Sequence, residues 1–173
     1  KKPGTFKSLQ NDRGRIIIPL IDEDGNWFGV QGRSLLPNST MRYITIIFNE
    51  DKQKVFGLNN VKKDKPIHIV EGPIDSLFLE NSVAMVGSDF NPRSFDWSDY
   101  IWVYDNEPRN RQIVERISDT IDRGDKVVIW PQQVTKKDIN DMILVGQDPQ
   151  KIIETNTYQG IQAKIKLTEW KRV

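Results

Sequence analysis

Five carboxylates fall where a sheet does its chemistry. Glu71 ends the apolar run Ile67-His68-Ile69-Val70. Asp105 and Glu107 follow Tyr100-Ile101-Trp102-Val103-Tyr104, and Asp138 and Asp141 follow Lys126-Val127-Val128-Ile129-Trp130. If these runs are neighbouring parallel strands, their carboxyl ends carry the acids to one rim, where open α/β sheets bind ligands. Carboxylates at that density raise one another's pKa values, and a divalent cation relieves the repulsion. There is no cysteine and a single histidine, so the donors are oxygens. Such a set suits Mg²⁺ or Mn²⁺ and leaves no thiolate site for zinc. Mg²⁺ takes one or two carboxylates and completes its shell with water and substrate phosphates. The pattern therefore points to metal-assisted phosphoryl transfer. A plainer reading is also open: Glu71 as a surface carboxylate near a helix N-terminus, Asp138 and Asp141 as helix caps, and Asp105-Asn106-Glu107 as an ordinary turn.

The elements needed to position these acids are legible. Gly72 permits a tight turn after Glu71, and Pro73 suits the first position of a helix over Ile74–Leu79. Val83–Val86 reads as a short strand. A helix over 110–122 places Ile113, Ile117 and Ile121 on one face and stops at Gly124. Helical sequence returns from Asp138 through Leu144, over Pro149–Tyr158 and over Ile161–Trp170. Strands alternating with helices predict a parallel sheet with right-handed crossovers. The first sixty residues differ. Strands at 15–21, 27–33, 42–48 and 55–57 surround the turn Asp22-Glu23-Asp24-Gly25-Asn26, and residues 1–13 read as polar loop with a turn at Pro3-Gly4. This β-rich front does not fit the receiver fold of response regulators, another Mg²⁺-binding sheet.

Bulk properties exclude several classes. With 173 residues, 37% hydrophobic and 28% charged, the chain suits one full domain or a domain with a small subdomain. No apolar run approaches the roughly 20 residues that span a bilayer, and the start lacks a signal-peptide pattern. The single histidine, His68, argues against an internal Ser-His-Asp triad or a multi-histidine metal site; alternation puts it on a strand face, where a hydrogen-bonded structural role is expected. The overall charge of +1 is unevenly spread: residues 1–66 carry +5, residues 67–148 carry −7 and residues 149–173 carry +3. A basic front beside an acidic centre suits a polyanion grip next to a cation site, although ordinary solvated faces give the same counts.

The motifs Glu71-Gly72-Pro73-Ile74-Asp75 and Asp105-Asn106-Glu107 resemble a TOPRIM domain, the module shared by primases, topoisomerases and some nucleases. Gly14-Arg15-Ile16-Ile17-Ile18-Pro19-Leu20, Asp24-Gly25 and Gln31-Gly32-Arg33-Ser34-Leu35 resemble the basic subdomain that precedes TOPRIM in bacterial-type primases. Arg42-Tyr43-Ile44-Thr45 and Val55-Phe56-Gly57 continue that match. With Asp105–Arg109 and Lys137–Met142 in the same order, the chain is most similar to the primases of T4-like phages, from about Pro3 to the C-terminus. The resemblance implies an α/β fold, with a Rossmann-like, mostly parallel sheet flanked by helices. It divides the chain into a β-rich basic subdomain (1–66), a TOPRIM domain (67–147) and a C-terminal helical segment (148–173).

The same resemblance implies a catalytic Glu71, metal held by Asp105 and Glu107, and further acidic site residues at Asp138 and Asp141. Many TOPRIM domains have Asp where Glu107 stands, so its reach to a metal differs. Asp75 is expected to orient the site. Arg15, Arg33, Arg42 and Lys137 are expected to contact template or nucleotide phosphates. The expected activity is synthesis of short RNA primers on a single-stranded DNA template from ribonucleoside triphosphates, with Mg²⁺ or Mn²⁺. The expected partner is a replicative hexameric helicase, the compartment is the bacterial host cytoplasm, and no membrane is involved. Such primases carry a cysteine-rich zinc module ahead of the core, so this cysteine-free chain is expected to be the catalytic part and to start primers poorly alone. A TOPRIM nuclease and a non-catalytic single-stranded-DNA-binding module are the competing readings; a topoisomerase, which needs a nucleophilic tyrosine on another domain, is the least compatible.

Overall fold

The computed structural model describes residues 14–36, 38–87 and 90–173. The turn expected at Pro3-Gly4 lies outside the described residues. The chain opens on three antiparallel strands, β1 (Arg15–Ile21), β2 (Trp27–Ser34) and β3 (Tyr43–Ile47), in the order β1-β2-β3. The turn joining β1 to β2 is organised by Asp22. Its Oδ1 accepts the backbone N–H groups of Asp24 and Asn26 at 3.1 and 2.9 Å, while Gly25 takes a positive φ of 85°. Lys52 pairs with the same buried carboxylate at 2.9 Å and holds its pKa below the ordinary value.

The second sheet has six strands in the order β4-β6-β5-β7-β8-β9. They are β4 (Val55–Phe56), β5 (Ile67–Val70), β6 (Ser82–Met85), β7 (Tyr100–Val103), β8 (Lys126–Val128) and β9 (Thr157–Tyr158). The inner pairs β6-β5, β5-β7 and β7-β8 are parallel, and the two edge strands are antiparallel. This is the mostly parallel α/β sheet expected. All four residues of β5 are buried, as a central strand covered on both faces requires. His68 within it is structural, with Nδ1 2.9 Å from the Glu80 carbonyl oxygen.

The helices are α1 (Pro73–Ser76), α2 (Arg111–Asp122), α3 (Ile139–Leu144), α4 (Pro149–Thr155) and α5 (Gly160–Trp170). Ile113, Ile117 and Ile121 of α2 are buried as their spacing predicts, and Gly124 ends the helix with a φ of 81°. Leu20 and Phe28 of the front sheet join the same apolar cluster as Ile69, Val83, Val127 and Trp170, so the sheets share a core. No helix among the described residues is long and apolar enough to cross a membrane.

Three elements depart from the sequence reading. The helix expected over Ile74–Leu79 is a single turn: Phe78 and Leu79 donate to carbonyls three residues back, Asp75 and Ser76, and the chain turns out at Asn81 with a φ of 47°. The helix expected to reach Tyr158 stops at Thr155, because Thr157 and Tyr158 pair with Val128 and Val127 to close the sheet edge. Val55–Phe56, grouped by sequence with the front, pairs with β6 in the larger sheet.

Candidate active site

The carboxyl ends of β5 and β7, the start of α3 and the inner face of the front sheet enclose a cleft of about 480 Å³. Its acidic wall carries Glu71, Asp75, Asp105, Asp138 and Asp141. Its opposite wall carries Arg33, Arg42 and Tyr43, and Lys137 stands beside the acids. Glu71 emerges from the buried β5 and is held on both oxygens. Oε2 accepts the backbone N–H of Asp105 at 3.2 Å, and Oε1 pairs with the Arg116 guanidinium of α2 at 2.8 Å.

The Asp105 loop is fixed from three sides through Asn106. The Asn106 side chain donates to the carbonyls of Val134 and Lys136 at 2.8 and 3.0 Å and accepts the indole N–H of Trp170 at 3.0 Å. Its backbone N–H donates to the Lys137 carbonyl at 2.6 Å. These bonds tie β7, the approach to α3 and the end of α5 to one point.

Charge within the cleft is poorly compensated. Burial, followed by the neighbouring Glu71 charge, pushes the Asp105 carboxyl up to about 7, with Lys137 opposing. Burial also raises Asp75, whose Oδ1 accepts the Asn140 N–H at 2.9 Å. Lys137 bridges Asp105 at 3.7 Å and Glu107 at 3.0 Å. For Glu107, burial acts upward, but the Asn110 and Lys137 contacts outweigh it and leave the pKa lowered. Asp138 caps α3 through the Asp141 N–H at 2.8 Å, so the capping role and a place on the cleft wall coexist in one residue.

Eight of the ten expected residues therefore line one cleft. Glu107 and Arg15 do not. Glu107 turns aside to Lys137 and to Asn110, whose Nδ2 lies at 2.9 Å. Arg15 donates to the carbonyls of Gly32, Met41 and Arg42 at 3.1, 3.0 and 3.4 Å and so braces the β2–β3 connection. Sequence reasoning missed Arg116, because one arginine on an amphipathic helix carries no signal beyond a solvated face. It also missed Tyr43, whose ring lies 5.8 and 5.9 Å from the guanidinium carbons of Arg33 and Arg42. Gln31 lies buried in the cleft floor, where Nε2 donates to Thr45 and Oε1 has no partner among the described residues.

The donors fit a hard divalent cation. All are oxygens, and the Asp105 carboxyl, raised by burial and then by the Glu71 charge, is a group whose ionised form a cation would stabilise. As they stand, no three acidic or histidine side chains among the described residues are close enough to hold an ion, and the Lys137 ammonium lies between Asp105 and Glu107 instead. A metal would thus enter against Lys137, on the wall that carries Asp105, Glu71, Asp138 and Asp141.

No family model matches the chain. It is 36% identical to the DNA primase of Enterobacteria phage T4 over 177 aligned residues, covering 99% of this chain and 51% of that protein. The chain thus spans about half the length of the curated relative it matches. Among solved structures, the zinc-binding and RNA polymerase domains of the Aquifex aeolicus primase superpose with a TM-score of 0.64 at 20% identity, covering 91% of this chain and 43% of that one. A DnaG primase catalytic domain bound to single-stranded DNA superposes with a TM-score of 0.54 at 19% identity, covering 91% and 52%. The resemblance to primases read from the motifs is borne out: the chain is homologous to phage T4 DNA primase and has the fold of primase catalytic cores.

Proposed function

We propose that the cleft is the polymerising site of a DNA primase core, joining ribonucleotides on a single-stranded DNA template. The observation that carries this reading is the opposition of Arg33 and Arg42 to Glu71, Asp75, Asp105, Asp138 and Asp141 across one cleft. Guanidinium forks suit phosphate, and clustered carboxylates suit the cation that accompanies nucleotide phosphates. The kinship with T4 DNA primase and the likeness to a catalytic domain bound to single-stranded DNA support the substrate class.

In this reading Asp105, with Asp138, Asp141 and a reoriented Glu107, holds Mg²⁺ or Mn²⁺. The cation would supply charge neutralisation at the reacting phosphate. Arg33 and Arg42 take template or triphosphate oxygens, with Tyr43 offering a stacking face between them. Glu71 is the carboxylate assigned to the attacking 3′-hydroxyl, and pyrophosphate leaves. Asp75 keeps the start of α3 against α1 through the Asn140 N–H. A replicative hexameric helicase, met through the C-terminal helices, is the proposed protein partner, and the bacterial host cytoplasm is the compartment.

The test is template-dependent incorporation of labelled ribonucleotides by the purified protein onto a pre-annealed RNA primer, which does not require it to start a primer. Incorporation abolished by Glu71→Gln supports the reading. Nicking of DNA without nucleotides, or binding of single strands with no product of either kind, contradicts it.

A further inference from the structure

We infer that Arg116 is a positioning residue for Glu71, acting from behind the cleft as its permanent counter-charge. The inference rests on the nucleotidyl-transfer reading above, and it concerns a residue that no motif marks.

Among the described residues, Lys137 and Arg116 form ion pairs with the acids at this wall, and they differ in where they stand. Lys137 lines the cleft itself, in contact with Asp105 and Glu107, so an incoming cation and its phosphates compete with it. Arg116 does not line that cleft. It belongs to a neighbouring cavity of about 550 Å³, walled by Trp102, Tyr104, Asp119 and Arg123, and Glu71 forms part of the partition between the two. Arg116 is anchored by its helix, since Ile113, Ile117 and Ile121 of α2 are buried against the sheet. Its guanidinium therefore reaches Glu71 Oε1 from the neighbouring cavity, on the side of the carboxylate away from Asp105 and Lys137, where a ligand entering the cleft does not compete for it.

Oxygens on the two sides of Glu71 then have separate duties. Oε2 is registered to the β7 loop by the Asp105 N–H, and Oε1 is held by Arg116. A carboxylate with two fixed donors keeps one rotamer, which a reacting group needs to within a fraction of an ångström. Without Arg116, Glu71 would keep one tether and would face Asp105 with no cation of its own.

The experiment compares wild type, Arg116→Gln and Arg116→Lys in two assays. One measures ribonucleotide incorporation at varied nucleotide concentration; the other titrates Mn²⁺ by electron paramagnetic resonance, which requires no turnover. Arg116→Gln should lower kcat by about tenfold or more, with the nucleotide KM within about twofold of wild type. Arg116→Lys should restore part of kcat. Arg116→Gln should also bind Mn²⁺ several-fold more tightly, because a positive charge has left the wall. A kcat within about twofold of wild type, or a raised KM at unchanged kcat, overturns the inference. Weakened Mn²⁺ binding together with a lowered melting temperature in both variants also overturns it, since it marks a residue of the fold alone. Should wild type fail even to extend a pre-annealed RNA primer yet bind Mn²⁺, the functional reading fails and the Mn²⁺ titration decides on Arg116, with unchanged affinity in Arg116→Gln counting against it. A wild type that does neither overturns both.

Discussion

The indole N–H of Trp170 donates to Asn106 Oδ1 at 3.0 Å, which fastens the last turn of α5 to the loop that carries Asp105 and Glu107. Trp170 is itself buried in the common core. Trp170→Phe should cost about 1 kcal/mol for the lost hydrogen bond and loosen the Asp105 loop, whereas Trp170→Ala should cost about 3–5 kcal/mol. Chemical denaturation checks the stabilities. A Trp170→Phe protein with unaltered stability and unaltered incorporation would show that α5 does not support the site.

Asp105 makes stability depend on pH in a stated direction. Its carboxyl titrates near 7 in the fold, against 3.8 as the ordinary value. Between about pH 4 and pH 7 the folded state keeps a proton that the unfolded chain has released, so stability falls as pH rises through that window. Asp105→Asn removes the effect. Melting curves of variant and wild type should differ least near pH 4. At pH 8 the variant should be the more stable, by about 1–3 kcal/mol. Equal destabilisation by Asp105→Asn at both pH values would contradict the raised pKa.

Gly72 is needed for space and not for its backbone, which is extended at φ −116° and ψ 135°. A Cβ there would stand 2.5 Å from Asp75 Oδ2, and the other oxygen of that carboxylate is committed to the Asn140 N–H. Gly72→Ala should destabilise by about 1–3 kcal/mol and lower incorporation, because Asp75 must leave α3 to make room. Adding Asp75→Ala should recover stability without recovering activity. Calorimetry of the single and double variants tests the pair; additive losses would show that the two side chains do not meet.

Arg33 and Arg42 make no ion pair among the described residues, and both guanidinium groups lie beside Tyr43. If they meet the template or triphosphate, Arg33→Ala and Arg42→Ala should each weaken single-stranded DNA binding. Each should also reduce the salt dependence of log Kd by about one phosphate contact. Arg15→Ala, whose guanidinium braces backbone carbonyls, should act through stability instead, with the salt slope unchanged. Fluorescence anisotropy across a salt series separates these outcomes.

Much of this arrangement is written in the chain. The strand-ending acids are legible because buried parallel strands are continuous apolar runs, and the residue after such a run must emerge at the rim. The isoleucine period of α2 is legible for the same reason. What escapes depends on partners far away in sequence. Thr157-Tyr158 has no strand pattern of its own and becomes one because the edge of β8 is open to it. Arg15 carries the same local signal as Arg33, and only the fold brings its guanidinium to the carbonyls of Gly32 and Met41. The Arg116–Glu71 pair spans 45 positions, and nothing local distinguishes that arginine from Arg111 or Arg123 on and beside the same helix.

Anomalous diffraction from crystals soaked with Mn²⁺ and a ribonucleoside triphosphate would locate the cation and the phosphates in one experiment. Mn²⁺ is expected on the acidic wall, with Asp105 among its ligands and Lys137 displaced. Nucleotide phosphates are expected between the metal and the Arg33–Arg42 side of the cleft. Triphosphate bound elsewhere, with no anomalous peak within reach of Asp105, would contradict that placement.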